Sequence, residues 1–157
     1  MGEEETAGYH AAVAEYFDIE RANALLPQLR DTLIRLRDLR TEVVELRDRL
    51  VALNAPLASG PGVAGAQGGK ARAEVEEESR LLHMRLQGRF DQMQAAVAQV
   101  DGWGVQLREI ETGLVDFPAL ASGRQIWLCW RLGEDSVGWW HELSSGFGGR
   151  RKLEDLV

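Results

Sequence analysis

Leu29-Arg30-Asp31-Thr32-Leu33-Ile34-Arg35-Leu36-Arg37-Asp38-Leu39-Arg40 is the stretch whose reading decides the fold. Its leucines recur every three or four residues, and charged residues fill most of the gaps. Extended both ways, the pattern becomes a heptad. Leu29, Leu36, Val43 and Leu50 form one row; Leu25, Leu39, Leu46 and Leu53 form a second, with Thr32 as its polar member. Leu26 and Leu33 widen the stripe at its N-terminal end. This spacing puts the apolar side chains on one side of an α-helix, as in a coiled coil, and the arginines and acids on the other. Those charges need no role beyond solvating the helix.

Upstream, Asp18 is placed to cap the helix, because its carboxylate can accept from the unpaired amides of the first turn. Pro27 is expected to kink the helix or to restart it. Residues 1–16 read as a flexible extension. The first twenty residues hold six acids and no Lys or Arg, which leaves the remainder with 18 basic and 19 acidic residues out of a net −7.

Downstream, Asn54 to Gly69 contains two prolines and five glycines and predicts a mobile loop. Its Gly69-Lys70 is followed by Ala71, so the Walker requirement for Ser or Thr after GK is not met. A second seam follows over 70–101. Ser79, Leu86, Met93 and Val100 make one row, and Val75, Leu82 and Ala96 the other, with Phe90 and Val97 beside them. Two such helices joined by a loop predict an antiparallel hairpin. Past Gly102 the period changes to two. A short strand is expected from Val105 to Ile110, a turn over Gly113–Pro118, a central strand from Arg124 to Leu132, and another from Val137 to Leu143. The tail Gly146–Arg151 reads as a glycine-rich loop. The predicted fold is therefore α+β: a coiled-coil-like helical hairpin (helix 17–53, loop 54–69, helix 70–101) with a small antiparallel β head over 102–157, all one domain from residue 17.

Composition excludes several classes. No basic stripe suits phosphate neutralisation, so nucleic acid is not an expected partner. No run of 18 apolar residues occurs, so no membrane span is expected. The beginning of the chain lacks the pattern of a secretory signal, and a single cysteine cannot form an internal disulfide. The expected location is the cytoplasm.

Three stretches resemble a known family. They are Phe17-Asp18-Ile19-Glu20 with Ala22-Asn23 and Leu26-Pro27; Gly113-Leu114-Val115-Asp116-Phe117-Pro118 with Gly123; and Leu128 to Glu134 followed by Trp140-His141, Gly146-Phe147 and Gly149-Arg150. Together they resemble the uncharacterised prokaryotic family catalogued as domain of unknown function 2203. The resemblance implies no activity and no catalytic residues.

The chemistry-bearing residues concentrate in the head. All five tryptophans lie between 103 and 140, as do Cys129 and nearby acids. Asp116, Arg131, Glu134, His141 and Arg150 are expected to gather as a polar cluster over a tryptophan core, because charges beside large aromatics must pair. A turn at 133–135 would bring Cys129 and His141 within a residue or two of register. That makes them weak candidates for zinc, with Asp or Glu completing the set, or for a thiolate nucleophile. Paired Cys or His at short spacing is missing, so Cys129 reads first as a packing residue, no cofactor is predicted, and zinc is the alternative. The expected function is a non-enzymatic interaction or scaffold protein, self-associating as a homodimer or binding a protein partner through its helices. The alternative is a small ligand- or metal-binding protein, an enzyme included, with its site in the head.

Overall fold

The computed structural model describes residues 15–58 and 71–156. The acidic tail up to residue 14 and most of the predicted 54–69 loop lie outside the described residues. The first helix, α1 (Ile19–Ala58), begins where expected: the Arg21 amide donates to Asp18 Oδ1 at 2.7 Å, which is an N-cap bond. The helix does not restart at Pro27 but runs on through it, and it continues past the expected end at Leu53 to Ala58. A proline in a helix forfeits one backbone bond; the wide apolar stripe around Pro27 holds the helix together despite that loss, since Ala22, Leu26, Leu29 and Leu33 are all buried.

The second helix, α2 (Arg72–Gly102), packs antiparallel on α1. Thr32 Oγ1 meets Gln99 Oε1 at 3.3 Å, while further out Glu42 pairs with Arg89. Partner numbers fall along α2 as they rise along α1. The buried positions follow the predicted seam, but its width changes. At the base α1 faces both α2 and the sheet, so Leu26 and Leu33 are buried alongside Leu29 and Leu36. Toward the tip only the partner helix is available, and a separate small cluster forms from Leu46, Leu50 and Leu82 with Leu53 and Leu86. His83 is exposed on α2.

The head is a five-stranded antiparallel meander in chain order: β1 (Gln106–Glu109), β2 (Leu114–Ala121), β3 (Arg124–Arg131), β4 (Trp139–His141) and β5 (Arg151–Lys152). Three strands were expected. The two additions are β2, which sequence reading took for a turn, and β5, which it took for loop. A 3₁₀ turn, Phe147–Gly149, precedes β5, and another, Leu153–Leu156, follows it. Alternation decides the faces. Val115, Phe117, Ala119, Ile126, Leu128, Trp130 and Trp140 face the base of the hairpin and share one core with its leucines. The turn after β3 is tied to α1: Arg30 donates to the carbonyls of Glu134 and Asp135, and Asn23 Oδ1 accepts from the Val137 amide at 2.8 Å.

Candidate functional site

The other residues of β2, β3 and β4 point away from the helices. The register pairs Asp116 with Cys129, Cys129 with Trp139, and Trp127 with His141. All five side chains therefore lie on one outer face, with Cys129 and His141 diagonal neighbours. This face is not bare. The segment after β4 folds back over it, so Asp116 and His141 are each only 3 % exposed and Cys129 is buried.

Hydrogen bonds fix the orientation of each group. His141 Nε2 lies 2.9 Å from Asp116 Oδ1, and Nδ1 lies 2.8 Å from the carbonyl oxygen of Glu142. A carbonyl can only accept, so the Nδ1 proton belongs on that side and Nε2 faces the carboxylate. The second oxygen of Asp116 accepts from Arg108 Nε at 2.8 Å. Arg108 also lies over the Trp127 ring, 4.9 Å from its centroid. Asp116 Oδ, Cys129 Sγ and His141 N come within 4.8 Å of one another, with all three residues buried. Burial, then the negative charge of Asp116, pushes the Cys129 thiol up to about 12; Arg150 acts in the opposite sense.

The other half of the expected cluster forms beside it. Arg150 reaches both oxygens of Glu134, at 3.0 and 2.7 Å, and Glu134 Oε1 also accepts from the Arg131 amide at 2.7 Å. The Arg150 guanidinium sits between Trp139 and Phe147, 4.4 and 4.8 Å from their centroids. Its Nε is buried with no hydrogen-bond partner among the described residues. The Arg131 side chain makes no ion pair with the others; it lies over Phe147 at 5.3 Å. Asp116 with His141, and Glu134 with Arg150, are thus two pairs on one face, both acting on Cys129. Asp116 occupies a strand, not the expected turn, which is why it stands directly opposite Cys129. Arg150 leads into β5, where a flexible loop was expected.

Sequence reading missed Arg108. Its only signal was alternation in β1, where Leu107 packs on the core and Arg108 takes the opposite face. A cleft of about 350 Å³ opens over Asp116, Cys129 and His141, bounded by Arg108, Leu143 and Phe147.

The family model described as an uncharacterized conserved protein, domain of unknown function 2203, matches residues 15–153. The chain belongs to that family. No curated protein and no solved structure is significantly similar to it.

Proposed function

We propose that the head of this protein is a binding site for one transition-metal ion of the zinc class, held by Asp116, Cys129 and His141. The supporting observation is a set of three different donors, S, N and O, within 4.8 Å of one another. A tetrahedral ion at about 2.0–2.3 Å from each donor sets them about 3.3–3.6 Å apart. The 2.9 Å between Nε2 and Oδ1 needs to open by a few tenths of an ångström, roughly, for that geometry, and Sγ, within 4.8 Å of both, needs to close by up to about 1.2 Å. The outer partners suit such a site as well: a backbone carbonyl accepts from Nδ1 of His141, so Nε2, which donates to Asp116, is the nitrogen that would give up its proton to the ion, and Arg108 orients Asp116. A bound dication reverses the electrostatics at Cys129, since a coordinating thiol gives up its proton. Three protein ligands leave one position for water or a ligand, and here the cleft supplies the space.

Elemental analysis after equilibration with zinc and removal of excess tests this reading. One zinc per chain is expected in the parent and none in Cys129→Ser, with circular dichroism verifying the fold of both. Substitution with cobalt should add a near-ultraviolet thiolate-to-metal band that the variant lacks. A parent protein that retains no metal, or a Cys129→Ser protein that retains as much, defeats the proposal.

A second reading, self-association through the hairpin, draws support from α2. Phe90, Met93 and Val97 line an apolar groove of about 400 Å³ on its surface, and Phe90 is 46 % exposed. A second copy would cover this stripe and make the protein a homodimer. Light scattering over a concentration series tests it; a monomer throughout rules it out.

A further inference from the structure

We infer that the cleft over the proposed metal position takes a small monocarboxylate with an apolar tail, one carboxylate oxygen on the metal and the other on Arg108. The inference rests on the metal reading above and names the ligand class of the same site.

Arg108 carries the argument first. It uses Nε alone, on Asp116 Oδ2. Its guanidinium lies over the Trp127 ring, 4.9 Å from the centroid, and its side chain is 42 % exposed. No further ionic partner occupies its terminal nitrogens among the described residues. A planar guanidinium held in place beside a cleft is matched to a planar carboxylate.

Charge balance sets the ligand's charge. A dication with the Cys129 thiolate and the Asp116 carboxylate sums to zero, and neutral His141 adds nothing. Arg108 leaves one positive charge unanswered in the lining of the cleft; Arg131, over Phe147, is not part of that lining. The Arg150 charge is already answered by both oxygens of Glu134. A monoanion fits that surplus; a dianion would bury a charge without a partner.

The apolar side chains of the remaining wall, which they share with Ser144 and Ser145, set the tail. Leu143 is 52 % exposed and Phe147 40 % exposed at the mouth of the cleft. Leu114 closes a third side. Apolar side chains at the rim gain by covering a hydrocarbon or aromatic group. The volume, about 350 Å³, is at the small end of ligand sites, which favours a compact molecule over a polymer.

Phenylacetate is a suitable probe, with phenylacetamide as its neutral counterpart and inorganic phosphate as a small anion without a tail. Zinc content is measured first on the parent, on Arg108→Gln and on Leu143→Ser. Calorimetric titration of the zinc-loaded parent should give saturable 1:1 binding of phenylacetate. Phenylacetamide and phosphate should each bind about tenfold more weakly or worse, the loss expected for a charge-assisted contact or for the buried tail. Arg108→Gln that retains zinc should lose phenylacetate by a similar factor. Should that variant lose zinc, Leu143→Ser becomes the deciding one, and it must weaken phenylacetate while leaving phosphate unchanged. Zinc uptake without phenylacetate binding, equal binding of the amide, or equal binding to the zinc-free protein overturns the inference and leaves the metal reading standing. Absence of zinc uptake overturns both.

Discussion

Cys129 is the residue on which the chemistry of the head turns. Without metal, its thiol stays protonated far above the usual range because burial and Asp116 both oppose the thiolate. The reference value is 9.0 and the folded value about 12. As pH rises past the first value, the unfolded chain releases the thiol proton while the folded chain keeps it. The unfolded state then binds fewer protons, so stability falls with rising pH until the folded value is reached. The contribution is fully present below pH 9. Urea unfolding in chelator, from about pH 8 to about pH 11, should show a steeper loss of stability for the parent than for Cys129→Ala. Parallel curves would mean that the thiol is solvated and that the outer face is open. The neighbouring pair has its own test. His141→Ala leaves Asp116, only 3 % exposed, with Arg108 and the Cys129 thiol as its remaining partners. In the presence of chelator the loss should be roughly 1–3 kcal/mol, the cost of stranding a buried acceptor. A variant as stable as the parent would mean that water satisfies Asp116 equally well.

At the scale of elements, the helices were legible and two of the five strands were not. Heptads at Leu29, Leu36 and Leu50 report one face directly, because each apolar position meets the same partner helix. What α1 does beyond Leu53 was hidden by composition: Asn54 and Pro56 look like a stop, yet the backbone stays helical to Ala58. Strand β2 was hidden by Pro118, which reads as a breaker. It is tolerated because β1 reaches only as far as Asp116, so the Pro118 amide position faces no neighbouring strand on that side. The Pro118 carbonyl still finds a donor, the Phe17 amide, at 2.7 Å. That contact links residues a hundred positions apart, and no local pattern could announce it. Of the candidate site, Asp116, Cys129 and His141 stood out by residue type, whereas Arg108 did not, since an arginine on an exposed strand face is common. The turn before β2 offers a test. Gly113 has φ +65°, and a Cβ there would lie 2.5 Å from Leu132 Cβ. Gly123 has φ +76° with open space around it. Gly123→Ala should therefore cost only the conformational penalty, about 1–2 kcal/mol. Gly113→Ala should cost about 1–3 kcal/mol more, because Leu132 and its strand must shift. Equal denaturation midpoints would show that the close approach carries no energy.

Across the whole molecule, stability is divided unequally along the hairpin. The base shares its core with the sheet, through Leu26, Leu29, Leu33 and Leu36 packed with Trp130, Phe117 and Trp140. The tip relies on Leu46, Leu50 and Leu82 and two partly buried neighbours, and this cluster is separate from the main core. Each buried leucine contributes roughly 2 kcal/mol, so three of them fall short of the cost of ordering two helical segments at about 1–2 kcal/mol per residue, and the helix hydrogen bonds and neighbours must make up the rest. The tip should therefore open locally while the base and head remain folded. Hydrogen exchange is the direct measure. Amides of residues 46–53 and 79–86 should exchange well before those of residues 29–36, 96–100 and the core of β3. Leu50→Ala should accelerate exchange at the tip alone, whereas Leu29→Ala should lower global stability by about 2–5 kcal/mol. Zinc, if held at the proposed site, would sharpen the contrast. A ligand stabilises only the states that bind it, and local opening of the tip leaves the head intact. Zinc should thus slow exchange in β2, β3 and the base of the hairpin, wherever exchange proceeds through global unfolding, and leave the tip amides unchanged. Uniform slowing along both helices would mean that the hairpin opens as one unit with the head, and the separation of the two apolar clusters would then have no energetic meaning.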